Sequence, residues 1–157
     1  QHAARHLAPG RVELEVTETT LIDDADAAVT ALRKLRTLGF RTALDDFGTG
    51  YSALGYLRRF PFDTLKIDRS FVRDLSRDGE AQVIVETILA MARALRLRTI
   101  AEGVEHPVEA SMLRERGCTA FQGFLMSRPL PSAGVAAFLA GWRAIPMAEL
   151  DDDAVAA

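Results

Sequence analysis

From Arg11 to Val16 polar and apolar residues alternate strictly, with Val12, Leu14 and Val16 on one side and Arg11, Glu13 and Glu15 on the other, the period of a strand. Behind Asp23 and Asp24, which offer an N-cap, Val29, Leu32, Leu35 and Leu38 recur at helical spacing, and Gly39 is placed to end that helix. Phe40 to Asp46 reads as a second strand. The turn Gly48-Thr49-Gly50 leads into a short helix from about Ser52, which must stop before Pro61. Thr64 to Asp68 is a third strand, followed by a longer helix with Ile84, Ile88, Met91 and Leu95 on its core face. Leu97 to Glu102 is the fourth strand, and Pro107 and Gly117 bracket the next helix. Thr119 to Phe124 is the fifth, and Ser132 is expected to cap a last helix carrying Val135, Phe138, Leu139 and Trp142.

Strands alternating with helices across short connections imply a parallel sheet, because parallel neighbours need crossovers. The class is therefore α/β, as an open doubly wound sheet or a barrel. Gly48-Thr49-Gly50 lacks the third glycine of the dinucleotide-binding fingerprint. Barrels collect functional groups from the ends of several different strands. Here each strand offers one: Glu15, the pair Asp45 and Asp46, Lys66, Glu102 and Gln122. The pattern predicts a TIM-type β/α barrel, partial, with about five βα units and roughly three more expected upstream. Residues 1–145 form that portion. Residues 146–157 form an acidic tail that is expected to be flexible.

Composition narrows the setting without naming a function. The 157 residues are enough for one domain with a core. A net charge of −3 gives no reason to expect a DNA or RNA duplex or an anionic membrane as partner. The single cysteine, Cys118, excludes an internal disulfide, suits a reducing compartment, and reads as a packing residue. No apolar run approaches the roughly 20 residues that span a bilayer. The expected location is cytoplasmic, or the cytoplasmic part of a membrane-anchored parent.

Carboxylates gathered at one rim repel one another unless cations compensate. All-oxygen donors select hard divalent ions such as Mg²⁺ or Mn²⁺. His2, His6 and His106 show no ligand spacing, which argues against zinc. Two such ions would favour in-line attack of water on a phosphodiester. Lys66, flanked by Leu65 and Ile67, is an inward-facing charge that needs acidic company, and it could hold a water or offset phosphate charge. Glu13 reads as a structural charge paired with an arginine, and Glu105 as a cap for the helix at Pro107. Consecutive residues of a regular strand face opposite ways, so Asp45 and Asp46 can share a site only if the strand ends or twists there. The following glycines are the expected cause. Asp46-Phe47-Gly48 also spells a kinase metal-binding tripeptide, but no glycine-rich loop or H-R-D segment accompanies it.

The strings Leu14-Glu15-Val16-Thr17-Glu18, Asp45-Asp46-Phe47-Gly48-Thr49-Gly50-Tyr51-Ser52, Leu65-Lys66-Ile67-Asp68, Ala101-Glu102-Gly103-Val104-Glu105 and Gln122-Gly123-Phe124 occur in that order. Together they strongly resemble the EAL-domain family of cyclic di-GMP phosphodiesterases, over about residues 1 to 142. The resemblance implies Glu15, Asp45 and Asp46 as metal ligands, Lys66 and Glu102 as the groups that handle the attacking water, and Gln122 as completing the pocket. It gives Glu18 the task of steadying the loop Phe47, Gly48, Thr49, Gly50, Tyr51 and Ser52, which couples substrate, metals and dimerisation. Asp68 and Glu105 are further candidates. The implied reaction is Mg²⁺- or Mn²⁺-dependent opening of cyclic di-GMP to linear pGpG by a homodimer, fused in the parent protein to an upstream sensor or cyclase domain.

Two departures stand out. The Glu-Ala-Leu segment, whose glutamate binds metal in the family, is absent, as is the strand supplying a metal-binding asparagine. Ala53 replaces a serine usual after Tyr51-Ser52. Two classes of function therefore remain open: a phosphodiesterase, favoured for the intact domain, and a non-catalytic dinucleotide-binding or protein-interaction module, favoured for this chain alone. The relative roles of Lys66 and Glu102 also stay open.

Overall fold

A computed structural model describes residues 7–48, 57 and 59–142. Its parallel strands are β1 (Glu13–Thr17), β2 (Arg41–Phe47), β3 (Thr64–Ile67), β4 (Arg98–Glu102) and β5 (Ala120–Gln122). The described helices are α1 (Glu18–Asp23), α2 (Ala25–Thr37), α3 (Arg69–Arg73), α4 (Gly79–Ala94), α5 (Pro107–Glu115) and α6 (Ser132–Gly141). Thr49, Gly50, Tyr51 and Ser52, the short helix expected from Ser52, and the tail 146–157 lie outside the described residues.

The strand order is β1-β2-β3-β4-β5. Crossovers between parallel strands are right-handed, so stepping always to the next neighbour in one direction puts every connecting helix on the same face. A doubly wound sheet must reverse direction once to cover both faces. No reversal occurs, so this is a barrel wall rather than an open sheet, as the distribution of polar strand ends predicts.

The two faces of that wall divide the chemistry. Leu44, Leu65, Ile67 and Ala101 face the helices and join one buried cluster with Leu32, Val72, Val85, Leu89 and Leu113. The alternate residues carry the charge. Thr64 Oγ1 donates to Glu13 Oε2 at 2.7 Å, and Lys66 reaches carboxylates on three other strands. Among the described residues Glu13 thus binds a threonine hydroxyl, not the arginine expected of it.

The helices depart from simple periodicity where the chain leaves the sheet. Asp24 caps α2, accepting from the Ala27 N–H at 3.0 Å. Leu38 lies beyond the helix and is 63% exposed, so the apolar stripe ends a turn early. On α4 the buried face is Ala81, Val85, Ile88, Leu89 and Ala92, with Ile84 turned outward. Of the expected stripe, Ile88 is buried and Met91 and Leu95 pack against the core, so only Ile84 departs from it. On α6 no residue is buried, and Ser132 makes no side-chain cap. Val135, Leu139 and Trp142 are exposed. The five-residue α3 was not legible as a separate element. Asp68, read as the end of a strand, is instead its N-cap, accepting from the Ser70 N–H at 2.9 Å.

Candidate functional site

Lys66 is the centre of the charged face. Its Nζ lies 2.9 Å from Glu15 Oε1 on β1, 3.0 Å from Asp45 Oδ1 on β2 and 2.7 Å from Glu102 Oε1 on β4. The register explains how four strands converge: Lys66 pairs with Ile100, so Glu102 stands two residues further along β4, and Asp45 pairs with Thr17, two residues beyond Glu15. Burial by itself pulls the ammonium pKa down. Hydrogen bonds to Glu102, Glu15 and Asp45 outweigh it and hold the group well above the ordinary lysine range.

Asp45 and Asp46 reach one site through a break in the ladder. Between Leu44 and Phe47 the register with β3 slips, three residues of β2 spanning two of β3. Asp46 has φ 53°, in the left-handed region, and its N–H donates to Asp45 Oδ1 at 3.1 Å. This is a β-bulge whose extra residue is re-aimed. Asp46 itself makes the turn, which the sequence reading had assigned to the glycines. Aspartate tolerates left-handed backbone better than most residues. Gly48 follows with φ 96°, and a Cβ there would sit 2.9 Å from the Phe71 ring. Phe47, placed in the substrate loop by resemblance, is a buried core residue paired with Ile67.

Gln122 pairs with Glu102 across β4 and β5. Beyond them the two strand-end loops are stitched together. Val104 N–H donates to Gln122 O at 3.1 Å, and Leu125 N–H donates to Val104 O at 3.0 Å. Gly123 allows that approach, since a Cβ there would fall 2.1 Å from Val104 O. Glu109 supports the same loop and was missed. It is buried, and its Oε2 accepts from the N–H groups of Glu105 and His106 at 2.9 and 3.0 Å. The signal was there: a glutamate at the third position of a helix opened by His106-Pro107 is half of a capping box. Capping thus falls to Glu109 rather than Glu105, whose side chain is left to the cleft.

A cleft of about 1040 Å³ borders the cluster, lined in part by Asp46, Asp68, Glu102, Glu105 and Gln122. Burial pushes the Asp68 carboxyl up, but the hydrogen bonds from Ser70 outweigh it and leave the pKa below its ordinary value. Oxygens of Asp45, Asp46 and Glu102 lie within 4.8 Å of one another. Three hard carboxylate donors so close together fit a divalent cation such as Mg²⁺ or Mn²⁺. Glu102 thus groups with the aspartates, while Glu15 is tied to them through Lys66. Glu18 stands apart: it begins α1, is 8% exposed, and neither carboxylate oxygen has a hydrogen-bond partner among the described residues.

A wall of parallel strands whose ends gather Glu15, Asp45 and Glu102 about Lys66 is an α/β scaffold with an acidic cluster at one rim. The chain belongs to the EAL domain family, whose model matches residues 1–129. Over 137 residues it is 48% identical to the cyclic di-GMP phosphodiesterase NbdA of Pseudomonas aeruginosa, covering 87% of this chain and 18% of that protein. Among solved structures, the MucR phosphodiesterase of the same bacterium in complex with c-di-GMP superposes with a TM-score of 0.79 at 45% identity, covering 84% of this chain and 54% of that one. BlrP1 of Klebsiella pneumoniae, as a manganese and c-di-GMP complex, gives a TM-score of 0.75 at 42% identity, over 81% of this chain and 32% of that one. The chain thus spans about a fifth of the length of the curated relatives it matches.

Proposed function

We propose that this chain supplies the larger part of a site that hydrolyses cyclic di-GMP to linear pGpG with Mg²⁺ or Mn²⁺. The observation that carries this reading is the convergence of Glu15, Asp45 and Glu102 on Lys66, with Asp46 turned into the same cluster by the bulge. Asp45, Asp46 and Glu102 would hold a cation, with Glu15 beside them as a further ligand. A cation held there would supply Lewis acidity for the phosphoryl group and for water. The chain's own residues do the rest. Lys66 keeps three carboxylates in register and can donate to water or to a phosphoryl oxygen. Glu102, its nearest partner, is an acceptor placed to take a proton from the attacking water. The water oxygen bonds to phosphorus, the bond to the 3′ oxygen breaks, and that oxygen receives a proton.

Gln122 can donate to or accept from the ligand at the rim of the cleft. The two orphaned oxygens of Glu18 support its role as anchor for the loop Phe47–Ser52, whose Thr49, Tyr51 and Ser52 hydroxyls are suitable donors. We further propose a homodimer in the cytoplasm, joined in the parent to sensor or cyclase domains as in MucR, named a bifunctional diguanylate cyclase/phosphodiesterase. No helix among the described residues is long and apolar enough to cross a membrane.

One observation favours a second reading, in which this chain alone binds without turnover. Glu15 lies on β1, whose other edge is unpaired among the described residues, and its side chain is 50% exposed. Chromatography of cyclic di-GMP incubated with Mn²⁺ or Mg²⁺ separates the two. Linear product abolished by chelator and by Lys66→Ala supports hydrolysis, while saturable binding with no product supports the module. Neither binding nor product would sink both.

A further inference from the structure

The cleft beside the carboxylates has a cationic wall that the reaction above does not use. Arg69 and Arg73 stand one turn apart on α3, Arg77 follows in the turn behind it, and all three line the cleft with Glu102 and Gln122. Their situations differ. A Cβ added at Gly103 would lie 2.5 Å from Arg69 Cβ, so Arg69 packs its stem on the β4 loop, and its charge acts on Asp68. Arg73 is 85% exposed and has only a 3.9 Å contact with neighbouring Asp74. Arg77 has no side-chain ion pair or hydrogen bond among the described residues. Two guanidinium groups thus face the cleft with almost no internal partner.

The proposed substrate gives them one, and this step rests on that reading. A cyclic dinucleotide carries two phosphodiesters, and the carboxylate end can process one at a time. The other must lie elsewhere in the same cleft, where Asp68, Asp74 and Glu105 would repel it. Arginine is the side chain best matched to phosphate oxygens, through paired N–H donors. We infer that Arg73 and Arg77 bind the second, non-reacting phosphodiester of the dinucleotide and set the preference for a two-phosphate ligand. They are binding residues, remote from the reacting atoms.

Steady-state hydrolysis by the full-length protein that carries this chain tests the assignment, with cyclic di-GMP and with bis(p-nitrophenyl) phosphate, which has a single phosphodiester. Combining Arg73→Ala with Arg77→Ala should raise KM for cyclic di-GMP about tenfold and leave kcat within about twofold, the signature of lost uniform binding. Rates on the single-phosphate substrate should not move, and the salt dependence of kcat/KM should flatten. The double lysine variant restores the charge without the paired donors, so its KM should fall between those of the wild type and the alanine variant. An unchanged KM in the alanine variant, with the wild type active, would overturn the inference and leave the phosphodiesterase standing. A lysine variant with a higher KM than the alanine variant would also overturn it, because restored positive charge must favour a phosphate. A wild type that neither binds nor hydrolyses the dinucleotide would remove both readings. Both side chains are at the surface, and a melting temperature matching the wild type confirms that the variants fold.

Discussion

Replacing Lys66 by methionine keeps most of the side-chain volume and removes the charge that three carboxylates share. Its contacts are not equal. Glu15 is half exposed, so water screens that pair and it contributes below about 1 kcal/mol. Asp45 and Glu102 are each 19% exposed and Lys66 itself 4%, so these contacts at 3.0 and 2.7 Å behave as buried pairs. Breaking a buried pair from one side costs about 3–5 kcal/mol, because the partner charge is stranded. A loss of about 4 kcal/mol lowers the melting temperature by roughly 10 °C for a domain of this size. Thermal unfolding followed by circular dichroism, with and without Mn²⁺, is the assay. In Lys66→Met the added ion takes over the compensation that the ammonium supplied, so Mn²⁺ should raise its melting temperature by more than it raises that of the wild type. A variant that melts within about 1 °C of the wild type, or an equal response of both proteins to Mn²⁺, would refute the reasoning.

Four other perturbations follow from single contacts. Gly123→Ala places a methyl group on the Val104 backbone, so the β4 and β5 loops must part; we expect a loss of about 2–4 kcal/mol in chemical denaturation, together with lost turnover as Gln122 shifts from Glu102. Asp46→Asn keeps a residue at ease with φ 53° and removes one anionic donor, so calorimetry should show Mn²⁺ affinity falling at least about tenfold. Asp68→Ala removes the α3 cap, costing about 1 kcal/mol. Because the folded Asp68 pKa is lowered, its contribution is present above the ordinary value of 3.8 and is lost as pH falls below it, so the gap in melting temperature between wild type and variant should close in acid. Burial pushes the Cys118 thiol up, so a maleimide probe near neutral pH should label it only after denaturant opens the fold; labelling of the native protein at the denatured rate would contradict the packing assignment.

What the sequence made legible was the material with short-range periodicity. Alternation found the strands to within a residue or two, because the sheet buries one face against helices and leaves the other polar. The end of the helix at Gly39 was readable for a similar local reason, its φ of 86°. On α4, Ile88 is buried and Met91 and Leu95 pack against the core as the periodicity predicts, while Ile84 is exposed and the buried Ala81 and Ala92 are not singled out by hydropathy. No single-sequence period marks such small residues as core. Within the site, one group per strand was visible, but how Asp45 and Asp46 come to share a cluster was not. A bulge depends on where the neighbouring strand pairs, which is a property of two distant segments.

The division between the faces also explains how so much charge can be carried at all. Stability of the wall comes from the helix side, where Leu44, Leu65, Ile67 and Ala101 are at most 2% exposed. The opposite face carries Glu13, Glu15, Asp45, Lys66 and Glu102, which a single core could not enclose without heavy desolvation costs. Because alternate strand residues belong to different environments, those charges can change with little effect on the packing behind them. Lys66 is the exception: it is on the polar face yet 3% exposed, and it binds groups from three other strands. At Lys66 a chemical role and a folding role therefore coincide. Substitution at Glu15, whose pair with Lys66 is screened by water, should separate activity from stability, and substitution at Lys66 should not.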